Sequence, residues 1–183
     1  RLTLMTEYVI DYKLYDLEKY QKMSDKEIGK VRTGINWEKS KIREWLNSTF
    51  IRRAFTEKDK AFLQVTEVNT PVSALSDRVT YDKVYLPSIE EIRYGFDRKT
   101  SHQRGQREDR QLDNVPCSQY VAALSNGGYQ QIGYGLRSRG HIDVDGSYVS
   151  QEGGEGHSLT GSKFLPWYLN KSMGIRPVIC IRE

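Results

Sequence analysis

The sequence has few cysteines and histidines, the residues that form metal sites, redox sites and disulfide bonds. Two cysteines, Cys117 and Cys180, and three histidines occur among 183 residues. The cysteines form no C-x-x-C pair, and no His/Cys cluster has the spacing of a zinc site. One disulfide and two buried free thiols are both compatible with this pair, so the sequence leaves the redox compartment open.

Long hydrophobic runs are also missing. No segment approaches the roughly 18 consecutive apolar residues of a membrane helix, and no signal peptide is visible. We therefore predict no membrane insertion. A chain of 183 residues can build one core of good size, so we predict a single domain over residues 1–183. Residues 97–114 contain almost no apolar side chain, and we expect them to form a mobile loop.

Neither sign of charge dominates. The 28 basic residues face 24 acidic ones, which gives a net charge of +4 and a pI of about 9.0. A protein that binds a polyanion gathers its basic groups on one face. The basic residues here are interleaved with acidic ones, so we predict no nucleic-acid partner.

Signatures of catalysis are absent too. The sequence contains no G-x-S-x-G, P-loop or Rossmann fingerprint. His141 could form an acid/base pair with Asp143 or Asp145, but alternate residues of a strand share a face by geometry alone. The run "DVDGS" lacks the third ligand and the final glutamate of an EF-hand loop. We predict no enzymatic activity, no cofactor and no bound metal.

The patterns that are present predict an α+β fold of short helices and antiparallel strands. Apolar alternation in "RLTLMTEYVIDYKLY" indicates a strand at the start of the chain, and "GIRPVICIRE" indicates one at its end. We expect the first and last strands to pair. "YGLRSRG" and "HIDVDGSYVS" also read as strands, with Asp145-Gly146 as a hairpin turn. The composition of residues 64–82 predicts mostly loop, with one strand possible at the start of the segment.

Capping boxes mark two helix starts. Thr56 is followed three residues later by Asp59, and Ser88 by Glu91, so each hydroxyl can cap an amide of the first turn while the carboxylate bonds back.

The segment "INWEKSKIREWLNSTFIRRAF" holds two of the three tryptophans among several basic residues. It could be a nucleic-acid-binding helix or part of the core. Ile42, Trp45 and Leu46 have the i, i+3, i+4 spacing of one helix face, and the lysines fall off that stripe. We therefore predict core packing. The planar guanidinium of Arg43 suits a buried carboxylate or carbonyl, and the position of Asn47 predicts a helix C-cap.

Two further arginines, Arg137 and Arg176, lie in otherwise apolar strands. Structural hydrogen bonds to backbone carbonyls are the first interpretation. Contact with a ligand carboxylate or phosphate is the second.

Five motifs in order resemble a known family. They are "NWEKSKIREWLN", "VYLPSIEEIRYGF", "CSQYVAALSNGG", "YGLRS" and "GIRPVICI". Together they resemble a bacterial domain of unknown function, found in gut and soil bacteria and their phages. That family is similar to the C-type-lectin-like fold, in the branch with formylglycine-generating enzymes and the variable proteins of diversity-generating retroelements. Tyr134-Gly135 departs from the pattern, since two tryptophans usually stand there.

The resemblance implies a C-type-lectin-like single domain that binds ligands without catalysis. The cysteine pair of formylglycine-generating enzymes has no counterpart, and the three histidines lack the H-x-x-x-H-x-E spacing of iron-dependent relatives. The alternatives are a structural or interaction domain of a larger surface or phage protein and, less favoured, an oxidoreductase of the formylglycine-generating type. We expect an extracellular or cell-surface location.

Polar and aromatic residues of the C-terminal half are the predicted contacts to a glycan or protein ligand. They are Tyr134, Arg139, His141, Tyr148, Trp167, Tyr168 and Asn170. A second set is predicted to be structural, and it comprises Trp37, Arg43, Trp45, Arg137 and Arg176.

Overall fold

A computed structural model describes most of the chain. The described residues are 1–15, 22–28, 36–73, 76–92, 115–124, 133–139, 145–149, 164–168 and 172–182. The predicted loop 97–114 lies outside them. For residues 25, 71–73, 76, 77, 139, 145–149 and 164–168 the description is of the backbone.

The described residues form ten strands and five short α-helices. The strands are β1 (Leu2–Met5), β2 (Asp11–Leu14), β3 (Thr66–Ser73), β4 (Ser76–Asp82), β5 (Val84–Tyr85), β6 (Tyr134–Arg139), β7 (Asp145–Val149), β8 (Phe164–Tyr168), β9 (Ser172–Ile175) and β10 (Val178–Ile181). The helices are α1 (Asp25–Ile28), α2 (Lys41–Trp45), α3 (Ile51–Ala54), α4 (Glu57–Phe62) and α5 (Gln119–Leu124). The mixed α+β class predicted from sequence is confirmed.

Three sheets organise these strands. Their orders are β1-β10-β5, β2-β9-β6-β7-β8 and β3-β4. Pairing is antiparallel except between β6 and β9. β1 runs along β10 from Leu2 opposite Ile181 to Met5 opposite Val178. The expected pairing of the first and last strands is therefore confirmed.

Local signals placed the helix starts well. Thr56 and Asp59 form a full capping box at α4. Ser88 and Glu91 exchange the same two bonds, at 2.9 and 3.1 Å. At α2 the side chain that caps the helix is Ser40, which accepts from the Arg43 amide.

The helical segment around α2 packs into the core. Ile42 and Leu46 are buried and belong to a cluster with Trp37, Tyr15 and Val84. Trp45 is half-buried against the same cluster. Lys39 and Lys41 are exposed on the other side. The segment is part of the core, as its spacing predicted.

Asn47 is not a C-cap, because helical structure continues through a π-helical turn, Leu46–Phe50, into α3. Its amide instead joins the helix to β5. Nδ2 donates to the Val84 carbonyl at 2.8 Å. Oδ1 accepts from the amides of Lys83 and Val84 at 2.9 and 3.2 Å.

Residues 66–73 and 76–82 form the antiparallel β3–β4 hairpin rather than a loop, and only the strand at the start of the segment had been expected. The face that is buried carries mainly polar residues, so the usual apolar alternation is missing. Buried on it are Thr66, Val68, Thr70, Thr80 and Asp82.

Two other strand predictions need correction. Asp145 and Gly146 lie inside β7, paired with Tyr168 and Trp167, and do not form a turn. "GIRPVICI" is split into β9 and β10, because Arg176 turns into the core and Pro177 has no amide hydrogen for a ladder.

The carboxylate of Asp82 joins the hairpin to the helical segment. The residue is 1 % exposed. Oδ2 accepts from Trp37 Nε1 at 3.0 Å and from the Thr80 hydroxyl at 2.7 Å. Oδ1 accepts from Arg43 Nε at 2.7 Å and from Asn47 Nδ2 at 3.3 Å. Arg43 thus has the type of partner expected for it, and the buried charge is both paired and fully hydrogen-bonded.

We predict that Asp82→Asn destabilises the protein strongly. The amide leaves the Arg43 guanidinium without its counter-ion and turns one acceptor into a donor. Breaking such a buried pair costs about 3–5 kcal/mol, measured as the loss in free energy of unfolding in urea. Glu57→Gln is the control, because its side chain is 89 % exposed and its loss should stay within about 0.5 kcal/mol. Equal effects of the two variants would contradict the role of Asp82.

Candidate ligand-binding surface

Five of the seven residues predicted to contact a ligand lie on three neighbouring strands. Tyr134 and Arg139 begin and end β6, Tyr148 lies in β7, and Trp167 and Tyr168 lie in β8. His141 and Asn170 fall outside the described residues. The order β6-β7-β8 makes these strands consecutive in the sheet, with β8 at its edge as far as the structure describes it.

The strand register brings an arginine and a tryptophan position into one row. Arg139 pairs with Gly146, and Gly146 pairs with Trp167 on its other side. Residues directly opposite one another lie on the same face of a sheet. The row therefore carries Arg139 and Trp167 on either side of a glycine.

Tyr148 belongs to the same face. It lies two residues beyond Gly146 on β7, and residues two apart on a strand share a face. It is paired with Gly135 on β6 and with Leu165 on β8. Because residue 135 is a glycine, no side chain on β6 lies opposite the Tyr148 position. We call the positions Arg139, Gly146, Tyr148 and Trp167 the β6–β8 face.

Tyr134 is a correction to the predicted contact set. Its ring is fully buried, and its position, opposite Val149, is on the other face of the sheet. Burial raises the pKa of its hydroxyl, against the opposing effect of Arg176. Arg176 donates to that hydroxyl at 3.4 Å and stacks 5.1 Å from the ring centroid. A ligand at the surface does not reach this side chain.

Arg137 and Arg176 both form hydrogen bonds within the protein interior. Arg176 donates from Nε to the Thr6 carbonyl at 2.7 Å. Arg137 donates to the Leu86 carbonyl at 2.9 Å and forms an ion pair with Glu91. Both guanidinium groups are buried, which favours the first of the two interpretations, hydrogen bonding to backbone carbonyls.

Sequence reasoning missed the position of Gly146 within the β6–β8 face. Asp145-Gly146 has the composition of a hairpin turn, and that local signal hid its role within a strand. Glycine inside a strand is a signal in its own right, since it marks a bulge or a close approach by another group. The β6–β7 pairing does shift register between Gly135 and Arg139.

The two thiols are not bonded to each other. Cys117 is partly buried and Cys180 is buried, and both are free. Burial raises the pKa of Cys117. For Cys180 burial also acts upward, but hydrogen bonds from Thr3, Thr66 and Arg1 outweigh it and the pKa is lowered. Of the two alternatives left open by the sequence, the structure has the free thiols.

The described ranges contain no group of three or more His, Cys, Asp or Glu side chains placed to hold a metal ion. All three histidines, together with Asp143, Glu152 and Glu155, lie outside those ranges. In the same ranges no helix has the length and apolar character needed to cross a membrane.

Comparison with known proteins gives one match. The model of a family described as a domain of unknown function (DUF6273) matches residues 1–183. No curated protein and no solved structure matched the chain.

Two buried tyrosines predict a loss of stability at alkaline pH. Burial raises the pKa of both Tyr85 and Tyr134 above the ordinary value. Above pH 10 the unfolded chain releases these protons while the folded protein keeps them, so the free energy of unfolding falls as pH rises, by up to about 1.4 kcal/mol per pH unit for each tyrosine.

Urea unfolding between pH 9 and 11 tests this linkage. Tyr134→Phe should flatten the decline, whereas Tyr120→Phe should leave it unchanged, because Tyr120 is 57 % exposed. An identical decline in the Tyr134→Phe variant would contradict the assignment.

Proposed function

The chain belongs to the DUF6273 family of domains of unknown function, and from this starting point we propose that it is a non-catalytic module that binds a glycan on the β6–β8 face. We further propose that its fold is of the C-type-lectin-like kind. The module would act outside the cell or at its surface.

The observation that carries this proposal is the row Arg139–Gly146–Trp167 with Tyr148 beside it. Tyrosine and tryptophan combine a flat apolar ring with a polar tip, which suits the mixed surface of a sugar. A guanidinium offers five donors in a rigid fork. Gly146 between the Arg139 and Trp167 positions lets a ligand approach the backbone closely. The residue types in this set suit binding, and they include neither an activated nucleophile nor an acid/base pair.

A protein ligand is the second candidate, and the position of β8 favours it. An edge strand offers unpaired backbone groups to an incoming strand, the mode called β-augmentation. A structural or interaction domain within a larger surface or phage protein would use the same edge.

We predict that Trp167→Ala and Tyr148→Ala each weaken glycan binding by about tenfold or more, as expected for central aromatic contacts. A glycan array screened with residues 1–183 identifies the ligand, and titration calorimetry measures the affinities. Tyr120→Ala is the matched control, since Tyr120 is an exposed tyrosine on α5, outside the β6–β8 face.

The unfolding curves of the Trp167→Ala and Tyr148→Ala variants must match that of the parent chain, so that the loss of affinity is not a loss of folding. If no glycan binds and a strand-forming peptide protects the β8 amides from hydrogen exchange, the protein-binding alternative replaces the glycan proposal. Full binding by both aromatic variants would contradict the β6–β8 face as the site.

A further inference from the structure

A second surface feature is formed by residues of the N-terminal half of the sequence. A shallow groove of about 370 Å³ runs between the α2 segment and strand β4. It is lined by Glu38, Lys39, Ser40, Arg43, Glu44, Asn47, Tyr81 and Asp82. None of these residues belongs to the β6–β8 face.

The acidic groups of the groove are already neutralised. Glu38 forms an ion pair with Arg78, and this hydrogen bond lowers the pKa of Glu38. Glu44 pairs with Lys41 at 2.5 Å. Asp82 is saturated by its four donors, as described above. The three carboxylates therefore leave no net negative charge to repel an anion.

Arg43, Lys39 and the hydroxyl of Tyr81, in contrast, each keep a hydrogen-bond donor without an acceptor among the described residues. Arg43 is held by Asp82 through Nε and by the Glu38 carbonyl through Nη1, at 2.9 Å. Its Nη2 makes no hydrogen bond to the rest of the described chain. The same holds for the ammonium group of Lys39, which is exposed.

Tyr81 adds an aromatic surface. Its side chain is 65 % exposed, the highest exposure among the large hydrophobic side chains of the described residues. It flanks Asp82 on β4 and lies opposite Glu67 on the outer face of the hairpin. Its hydroxyl has no hydrogen-bond partner among the described residues, so both its ring and its polar tip are open to a ligand.

We propose that this groove binds a carboxylate-bearing sugar such as a hexuronate. The ion pairs Glu38–Arg78, Glu44–Lys41 and Asp82–Arg43 each cancel, and Lys39 leaves the groove with one positive charge. A carboxylate can accept from Arg43 Nη2 and from the Lys39 ammonium. The sugar ring then rests on Tyr81. Because Asp82 fixes Arg43 in advance, little side-chain entropy is lost on binding.

Titration of the isotope-labelled chain with D-glucuronate, followed by amide chemical shifts, tests the proposal. We expect saturable shifts at residues 38–47 and 81–82, with glucose and acetate each binding at least about tenfold more weakly. Lys39→Gln should weaken glucuronate binding about three- to fivefold, the usual range for an exposed charge. Lys58→Gln is the control, because Lys58 is an exposed lysine on α4 outside the groove.

Tyr81→Ala separates the sugar contact from the charge contact. It should weaken glucuronate binding and leave the affinity for acetate unchanged, whereas Tyr120→Ala should change neither. Neither tested position supports the buried Asp82 network, so both variants are expected to fold.

Three results would overturn the proposal. They are the absence of saturable shifts in the groove, equal affinity for glucose or acetate and for glucuronate, and unchanged binding by the Lys39→Gln variant. If the groove shows no shifts because the glucuronate shifts are confined to β7 and β8, the result supports the glycan-binding β6–β8 face instead. The two proposals therefore fail independently.

Discussion

The buried carboxylate of Asp82 is the constraint on which the rest of the N-terminal half depends. Removing a charge from water costs several kcal/mol unless close partners replace the solvent. Here Trp37, Thr80, Arg43 and Asn47 supply four donors from a 3-10 turn, a hairpin strand and a helix. These elements must therefore take one relative arrangement. Asn47 extends the constraint to β5, and β5 pairs with β10, the partner of β1.

A second set of buried hydrogen bonds and ion pairs connects the N-terminal half to the five-stranded sheet. Arg137 on β6 bonds to the carbonyls of Leu86 and Asn69 and to the carboxylate of Glu91. Arg176, between β9 and β10, bonds to Thr6 near β1. Arginines for which ligand contact was the second interpretation of the sequence are thus occupied within the fold. The proposed ligand contacts lie elsewhere, on the β6–β8 face and in the groove between α2 and β4.

The sequence predicted features that are encoded locally. The two capping boxes and the helix face of Ile42 and Leu46 depend on residues three or four apart, and their spacing is visible directly. The partner of Arg43 was not predictable in the same way, because Asp82 is 39 residues away and no periodic pattern marks it. The sequence of the β3–β4 hairpin had the composition of a loop, because the residues on its buried face are mainly polar. At the β6–β8 face, Arg139, Tyr148 and Trp167 were chosen by residue type, but their common row depends on long-range register.

A double-mutant cycle between Arg43 and Asp82 tests the central claim most directly. Arg43→Met, Asp82→Asn and the double variant are compared with the parent chain by their free energies of unfolding in urea. If the carboxylate organises the helix and the hairpin through this pair, the coupling energy should reach about 2–3 kcal/mol, and the double variant should be little worse than either single one. A coupling energy near zero, with additive losses, would contradict the account.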